Sequence, residues 1–205
     1  MNPTAKPQEH SRLRILKAAA EVAAERGYEG TTISRICQRS GLPVSSVYWF
    51  YKDKDELLAE VVRHSFTQWI GEQPRWETLP EGVALLDGLR AILNRSLRSL
   101  PDAPEYLRIG HMLALERREV EPAGRALFLA IRAEVQASIA LWFADGLDAQ
   151  LVERRPDLPE HLAEAIIVLS DGLFLADQIA DIWDPDDFID VLVDVIGTAI
   201  EAARE

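Results

Sequence analysis

Residues 31–58 read TTISRICQRSGLPVSSVYWFYKDKDELL, and this stretch decides the fold. A hydroxyl at Thr31 or Thr32 can cap a helix, because it accepts a hydrogen bond from a backbone N–H that has no partner inside the helix. Gly41 follows where a helix C-terminus favours a residue with positive φ, and Pro43 stands near the next helix start, where its missing N–H costs little. The pattern predicts two short helices joined by a tight turn, which is the helix-turn-helix arrangement.

The side chains of these two helices divide into an inward and an outward set. Small or apolar residues recur at helical spacing on one face of the first helix: Ile33, Ile36, Cys37 and Ser40. The predicted inward face of the second helix consists of Val47, Tyr48 and Tyr51. The residues left to point elsewhere are Val44, Ser45, Ser46, Trp49 and Phe50. Since the second helix of such a motif fits the major groove of DNA, this helix is the predicted reading element.

The residues on both sides of the turn carry a resemblance to a known family. Upstream, an apolar stripe consists of Ile15, Leu16, Ala19, Val22 and Ala23 and ends at Gly27 and Tyr28. The motif itself contributes Ile36, Gly41, Leu42, the run Tyr48-Trp49-Phe50-Tyr51-Lys52-Asp53-Lys54, and Leu57 with Leu58. Over residues 12–62 this pattern resembles the DNA-binding domain of the tetracycline-repressor (TetR) family of bacterial transcription regulators. Cys37 and Ser40 replace a common alanine and Ser45 a frequent glycine, which are exchanges between small residues.

Helical periodicity and breaker residues organise the whole chain. Four helices are predicted between residues 12 and 69, and five more at 81–100, 103–119, 122–148, 159–182 and 186–203. The predicted fold class is all-α, with about nine helices: an N-terminal three-helix helix-turn-helix domain and a C-terminal helical domain for ligand binding and dimerisation. We place a flexible arm at residues 1–10, the DNA-binding domain at 11–56, and the effector-binding and dimerisation domain at 57–205.

The net charge of −12 is unevenly distributed along the chain. Residues 1–52 contain eight Lys or Arg and four Glu, a balance of +4, whereas residues 53–205 contain fourteen basic and thirty acidic residues, a balance of −16. Salt confines each electrostatic field to about 8–10 Å, so a basic head on an acidic body can still approach phosphates. The global charge therefore does not exclude a double-stranded DNA partner.

The resemblance implies which residues meet the DNA. Phosphate-binding roles are carried over from the family to Thr32, Tyr48 and Lys54, and nearby basic candidates are Arg35, Arg39 and Lys52. The predicted base-reading residues are Val44, Ser45, Ser46 and Trp49. Valine can meet a thymine methyl and serine hydroxyls are permissive donors and acceptors, so the pattern favours apolar and indirect readout. Two heads one helical turn apart would require a near-palindromic operator.

The last two predicted helices indicate a homodimer. Both are apolar on more than one face, and a helix that is apolar nearly all round must be buried nearly all round. A two-fold dimer would cover such helices with the same patch facing itself, as the resemblance also implies. The candidate interface residues are Ile167, Gly172, Leu175, Ile179, Val191 and Val195. The alternative is that these helices belong to the core of one subunit.

A small-molecule effector site inside the C-terminal domain is implied by the resemblance. The candidate residues are Tyr106, His111, Met112, Phe128, Trp142, Asp171 and Phe174, and the effector is expected to be largely apolar. An aromatic stripe is also compatible with an ordinary core. For Asp171 three interpretations stay open: contact with a cationic ligand, solvation, or an ion pair with Arg108, Arg125 or Arg132, since a buried carboxylate without a partner is costly.

Other functions find little support in the sequence. It contains no glycine-rich phosphate loop, no G-x-S-x-G and no H-E-x-x-H, so we expect no catalytic residue, no metal site and no cofactor. A polar N-terminus and the lack of an apolar run of membrane-spanning length predict no secretion and no membrane partner. The single cysteine, Cys37, suits the reducing cytoplasm, which is the predicted location. Two alternatives remain: a helical ligand-binding protein without DNA function, and a helical-bundle enzyme.

Overall fold

Helices alone make up the regular structure of the computed structural model, which describes residues 5–71, 76–98, 105–116, 119–179 and 185–205. They are α1 (Ala5–Gly30), α2 (Ile33–Ser40), α3 (Val44–Phe50), α4 (Lys54–Ile70), α5 (Leu85–Arg98), α6 (Glu105–Leu115), α7 (Ala123–Gly146), α8 (Ala149–Arg154), α9 (Leu158–Ile179) and α10 (Pro185–Ala202). The predicted all-α class is confirmed. The described residues hold one helix more than the nine predicted, because the six residues of α8 are too few to show a helical period.

The first helix starts earlier than the sequence suggests. Residues 5–10 belong to α1, where a flexible arm over residues 1–10 is predicted, and residues 1–4 lie outside the described residues. Glu9 and Arg12 form an i,i+3 ion pair at 3.3 Å, a contact that supports the helical turn containing them. At the predicted end of the apolar stripe, Gly27 and Tyr28, the helix is interrupted: Gly27 has non-helical backbone angles (φ 67°, ψ −177°) inside α1.

The chain divides into two compact units. The first consists of Met1–Gly71 with Ala103–Ile131, and the second of Glu72–Asp102 with Arg132–Glu205. The boundary predicted between residues 56 and 57 falls inside α4, whose helix continues from Lys54 to Ile70. The position of that domain boundary stays a prediction.

In the first unit the apolar stripe of α1 is packed against neighbouring helices. α1 contacts α2, α3, α4 and α6, and α4 also contacts α6. The side chains buried here include Ile15, Leu16, Ala19, Val22 and Ala23 from α1, Ile36 and Val47 from the helix-turn-helix, and Leu57, Leu58, Val61 and Val62 from α4. Burial of this apolar surface is the main force that holds the helix-turn-helix in place.

The second unit contains the segment at 76–84, α5, the part of α7 from Arg132 onward, α8, α9 and α10. Within this unit α5 packs against α10. Arg90 of α5 forms an ion pair with Asp190 of α10. The fully or nearly buried apolar residues of the second unit include Leu89, Leu93, Trp142, Phe143, Leu162, Ile166, Phe174, Ile189, Leu192 and Ile196.

α7 is long and apolar enough to cross a membrane by length and composition alone. The expectation that no such stretch exists is therefore wrong for residues 123–146, because many alanines and leucines outweigh the few charged residues of this helix. The core helix of a soluble protein meets the same criterion, so a single helix of this kind is weak support for a membrane location.

Candidate nucleic-acid interface

The turn between α2 and α3 has the geometry that its residues predict. The hydroxyl of Thr32 accepts a hydrogen bond from the Arg35 backbone N–H at 3.3 Å and caps α2. Gly41 ends α2 in the left-handed region (φ 66°, ψ 22°), and its N–H donates to the Cys37 carbonyl at 2.9 Å. Pro43 directly precedes α3, where it needs no hydrogen-bond donor. The predicted helix-turn-helix is therefore present.

Contacts to α1 and a few buried side chains hold α3 in position. Val47 is fully buried, and Tyr51 follows the helix end in extended backbone with 5% of its surface exposed. Burial raises the pKa of the Tyr51 hydroxyl to about 12, so the group stays neutral at physiological pH. A guanidinium N–H of Arg14 in α1 donates to the Ser40 carbonyl, which ties the turn to the first helix.

One side of α3 is open. Val44, Tyr48 and Trp49 have exposed fractions of 49%, 55% and 74%, and Ser45 is also exposed. These positions follow the i, i+1, i+4, i+5 spacing of a single helix face. Ser46, also predicted to read bases, is half-buried at the edge of this face. We call Val44, Ser45, Tyr48 and Trp49 the reading face.

Tyr48 corrects one detail of the sequence interpretation. Helical spacing predicts it on the inward side with Val47 and Tyr51, but more than half of its surface is exposed. Tyr48 lies one helical turn after the exposed Val44 and shares its side of α3, whereas Tyr51 lies beyond the helix end in extended backbone (φ −136°, ψ 132°). An exposed tyrosine hydroxyl remains compatible with the phosphate role implied by the family resemblance.

The N-terminal part of α1 flanks the reading face, which the sequence does not indicate. Gln8 and Ser11 of α1 line a shallow cavity of about 490 Å³ together with Ser45, Ser46, Trp49 and Phe50. Gln8 and Ser11 are one helical turn apart, which is the only sequence signal that could have found them. Sequence reasoning misses Gln8 because it assigns residues 1–10 to an arm, whereas Ser11 stands at the first position of the predicted DNA-binding domain and is not singled out there.

The basic candidates differ in how far they are engaged within the protein. Arg35 donates from its guanidinium to the Gly30 carbonyl at 2.6 Å. Lys54 donates to the Tyr28 carbonyl at 3.0 Å, and its Nζ lies 3.8 Å from the centre of the Tyr28 ring. The ammonium of Lys52 is exposed and has no partner among the described residues. Lys52 is therefore the most available of these three cations.

Arg39 forms ion pairs with two carboxylates of α1. It meets Glu21 at 3.0 Å and Glu25 at 2.8 Å, both carboxylates of the first helix. The hydrogen bond from Arg39 is the main cause that lowers the pKa of the Glu25 carboxyl below its ordinary value. These contacts join α1 to α2 and leave Arg39 a weaker candidate for phosphate contact than the sequence suggests.

The predicted effector residues are divided between the two units. In the first unit Tyr106 packs against Phe66, Trp69 and Phe128, with ring centres 5.1 to 5.7 Å apart. His111 Nδ1 lies 2.7 Å from the Leu107 carbonyl oxygen, and the ring meets Phe128 edge-on. Met112 of α6 is half-buried. These contacts are those of a packed aromatic core around α6.

The second unit holds the remaining effector candidates. Trp142 and its neighbour Phe143 lie with ring centres 5.1 Å apart, and Phe174 is 3% exposed. Asp171 forms a two-pronged ion pair with Arg132, in which one of the two contacts measures 2.8 Å. Of the interpretations left open for Asp171, the ion pair with Arg132 is the one observed. Over the described ranges, no group of three His, Cys, Asp or Glu side chains is arranged to hold a metal ion.

The predicted interface residues lie on the last two helices and are mostly exposed. On α9, Leu175 and Ile179 have exposed fractions of 41% and 83%, Gly172 is open, and Ile167 is half-buried. On α10, Val191 and Val195 have exposed fractions of 56% and 52%. Single exposed apolar residues are ordinary on a protein surface, but a set on two helices at helical spacing is a candidate contact surface.

Comparison with known proteins agrees with this geometry. The sequence profile of "Bacterial regulatory proteins, tetR family" matches residues 15–61. The HTH-type transcriptional regulator SrpR of Pseudomonas putida is 33% identical over 95 residues, which cover 43% of this chain and 44% of SrpR. The uncharacterised HTH-type transcriptional regulator TtgW, also of Pseudomonas putida, is 32% identical over 95 residues, which cover 43% of this chain and 69% of TtgW. The matched part of the chain thus spans less than half the length of SrpR.

A solved structure shares the fold over nearly the whole chain. The structure of AibR in complex with isovaleryl coenzyme A and operator DNA superimposes with a TM-score of 0.68 at 19% identity, covering 89% of this chain and 96% of AibR. At that identity the likeness concerns the fold alone. The profile match falls on the helix-turn-helix described above, and the TtgW match covers most of that relative. The chain belongs to the tetR family of bacterial regulatory proteins.

Proposed function

We propose that the protein is a DNA-binding transcriptional repressor in the cytoplasm. In this proposal a homodimer binds a near-palindromic operator and is released by a small, largely apolar effector, and the chain has no enzymatic activity. The observation that carries the proposal is the reading face, four outward side chains on a short helix that a glycine turn and α1 hold in place. The names of SrpR and TtgW, which call them transcriptional regulators, support it.

The reading face indicates how the operator would be recognised. The side chain of Val44 can meet a thymine methyl group, and the hydroxyls of Ser45 and Tyr48 can donate to or accept from bases or phosphates. Trp49 offers a large apolar edge, with an indole N–H as its only polar atom. The face carries no Arg, Asn or Gln, so bidentate pairing to a base edge is not expected from it. Gln8 of α1, which lines a cavity together with Ser45 and Trp49, has a side chain with that capacity.

Phosphate contacts would position the head. The exposed ammonium of Lys52, the exposed hydroxyl of Tyr48 and the start of α2 at Thr32 are the proposed phosphate-binding groups. Lys54 and Arg35 keep this proposed role but already bond to backbone carbonyls of α1, so part of their function is to hold the head together.

The effector and dimer parts of the proposal rest on separate supports. AibR, a protein of the same fold, was crystallised with isovaleryl coenzyme A and operator DNA, which supports control of a regulator of this kind by a small molecule. The exposed apolar residues of α9 and α10 support a homodimer. An effector can weaken DNA binding only by its differential affinity for the two states of the protein.

The test is a gel-shift titration with duplexes taken from the region upstream of the protein's own gene. We expect a saturable shift whose affinity falls steeply with salt, because counterions are released from the phosphates. Lys52→Ala should weaken binding to all duplexes alike and reduce the magnitude of the salt slope by about two units, about one for each subunit of the dimer. Val44→Ala should instead change the ranking of operator variants, and Leu115→Ala, at an exposed position at the end of α6, serves as the unaffected control.

Two outcomes would contradict the proposal. If no duplex is bound in dilute buffer by a folded protein, the alternative of a helical ligand-binding protein without DNA function gains the support. If Val44→Ala and Lys52→Ala both leave binding unchanged while a shift is present, α3 is not the reading element.

A further inference from the structure

The shallow cavity beside the reading face lies between the N-terminal part of α1 and α3. Its volume is about 490 Å³, and its lining consists of Gln8, Ser11, Ser45, Ser46, Trp49 and Phe50. We call it the α1–α3 cavity. The two helices are in contact and belong to the same compact unit. Each lining residue is exposed or half-buried, so the cavity is open to a partner that approaches the reading face.

The lining supplies hydrogen-bond donors that carry no charge. Gln8 contributes an amide group, and Ser45 and Ser46 each contribute a hydroxyl. These three side chains form no hydrogen bond with another residue in the described part of the chain. Among the described residues no Asp or Glu lines the cavity, and the carboxylate of the neighbouring Glu9 is paired with Arg12 at 3.3 Å. The cavity therefore offers donors to an acceptor and no carboxylate that would repel an anion.

Two aromatic rings give the cavity an apolar wall beside these donors. Trp49 is 74% exposed, and Phe50 is half-buried. The backbone of DNA has the matching two parts, because its phosphate oxygens accept hydrogen bonds and its deoxyribose presents C–H groups. A volume of about 490 Å³ also lies within the range of sites that hold small organic groups. One phosphodiester with its deoxyribose thus fits the cavity in chemistry and in size.

The width of the major groove decides which part of the DNA would meet this cavity. The second helix of a helix-turn-helix enters the major groove, which is about 12 Å wide, and a helix with its side chains is about 10–12 Å across. Since α3 fills the groove, α1 beside it meets the groove wall, which is the sugar–phosphate backbone. A cavity between the two helices then lies against that wall and not over base edges.

We propose that the α1–α3 cavity binds one phosphodiester of the operator backbone in each half-site, through the Gln8 amide N–H and the hydroxyls of Ser45 and Ser46. The adjacent deoxyribose packs against Trp49 and Phe50. This inference rests on the proposed function, since it needs a bound operator. It adds α1 to the elements that contact DNA and makes Gln8 a positioning residue, not a base-reading one.

The Gln8→Ala variant of the full-length protein tests the contact by gel-shift titration. We expect about five-fold weaker binding for each subunit, and so about 25-fold for the dimer, the usual net effect of one hydrogen bond per site. The loss should be the same for every operator variant, because a phosphate carries no sequence information. The salt slope should stay that of the wild type, since an uncharged amide neutralises no phosphate, whereas Lys52→Ala should reduce it.

Chemically altered duplexes locate the phosphate. The probes are copies of the bound duplex in which one phosphate at a time, at the symmetric position of both half-sites, is replaced by an uncharged methylphosphonate. At one position the wild type should lose more affinity than Gln8→Ala, by about five-fold or more, because only the wild type has the contact to lose. At the same position Gln8→Glu should lose less than Gln8→Ala, because the replacement removes the repulsion between carboxylate and phosphate.

The control variant is Gln68→Ala. Gln68 is also an exposed glutamine of the first unit, but it belongs to α4 and does not line the α1–α3 cavity. This variant should bind every duplex like the wild type. The fold of Gln8→Ala should persist, because Gln8 is exposed on α1 and alanine favours a helix more than glutamine does. Circular dichroism checks both variants.

The outcomes separate this inference from the proposed function. Unchanged binding by Gln8→Ala, or methylphosphonate losses equal to those of the wild type at every position, would overturn the inference. A loss that reorders the operator variants would also overturn it and make Gln8 a base-reading residue. In each of these cases the wild type still shifts the duplex, so the proposed repressor stands. A folded wild-type protein that binds no duplex contradicts both.

Discussion

Lys54 joins the end of α1 to the start of α4 through a single ammonium group. It donates to the Tyr28 carbonyl and lies over the Tyr28 ring, while the Tyr28 hydroxyl meets Asp55 of α4. A residue carried over from the family as a phosphate contact thus also has a structural task. Its neighbour Lys52 has the same charge two positions earlier without these contacts, which makes the pair a natural comparison.

The Lys54→Ala variant should lower the free energy of unfolding by about 1–2 kcal/mol. The reason is the loss of one hydrogen bond from a charged donor and of one cation–π contact, both partly buried. Urea denaturation followed by circular dichroism measures the change. Lys52→Ala should stay within about 0.5 kcal/mol of the wild type. Equal stability of the two variants would show that the Tyr28 contacts contribute nothing.

The two helices of the DNA-binding motif depend on the backbone of the turn between them. Gly41 has φ 66°, a conformation that L residues with a side chain rarely adopt, and a Cβ there would lie 3.2 Å from the Arg14 guanidinium. Gly71, which ends α4, has ordinary right-handed angles (φ −65°, ψ −22°). The two glycines thus end α2 and α4 in different backbone conformations.

Gly41→Ala should therefore destabilise the protein by about 1–2 kcal/mol, the cost of a left-handed residue with a Cβ. Gly71→Ala should be neutral or stabilise by about 0.4–1 kcal/mol, because alanine restricts the unfolded chain and fits the folded backbone. Thermal unfolding of both variants measures the contrast. A melting temperature for Gly41→Ala equal to that of the wild type would contradict the strain argument.

Much of this element structure is predictable because it depends on local chemistry. The Thr32 cap, the left-handed Gly41 and the interruption of α1 at Gly27 follow from what each residue type allows in its own backbone. The misses depend on contacts that local sequence does not encode. Tyr48 is on the exposed side of α3 with Val44, although the pattern groups it with Val47, and Gln8 lines the cavity beside the reading face because α1 starts at Ala5.

The site residues show the same division. Exposure of Val44, Ser45 and Trp49 follows from helical spacing once α3 is recognised. The ion pairs of Arg39 with Glu21 and Glu25 are not predictable, because they join residues 14 to 18 positions apart across two helices. A cation that the sequence pattern predicts to be available for phosphate can thus be paired with carboxylates of another helix.

For the whole molecule, the exposed faces of the last two helices bear on assembly. Val191 and Val195 on α10 and Leu175 and Ile179 on α9 expose apolar surface that a second copy would cover. Residues 53–205 are strongly acidic, so two copies joined through α9 and α10 would bring two negatively charged bodies together through apolar side chains. A carboxylate added at such an interface is unfavourable both as a buried charge and as a further negative one.

The Val195→Asp variant should raise the dimer dissociation constant by roughly a hundredfold or more, because each dimer would bury two unpaired carboxylates. Its fold should persist, since Val195 is already 52% exposed in the single chain. Sedimentation velocity at micromolar concentration measures the effect, and Leu115→Asp, at a position 77% exposed in the first unit, is the control. Wild-type protein that sediments as one subunit would contradict the dimer.

Because α3 contributes little to the core, the sequence of its outward face can change during evolution. Of its seven residues Val47 alone is fully buried, and the four members of the reading face touch the core little. Those four positions can be exchanged together with little loss of stability. Binding preference can therefore drift, or be re-engineered by combinatorial libraries, on an unchanged scaffold.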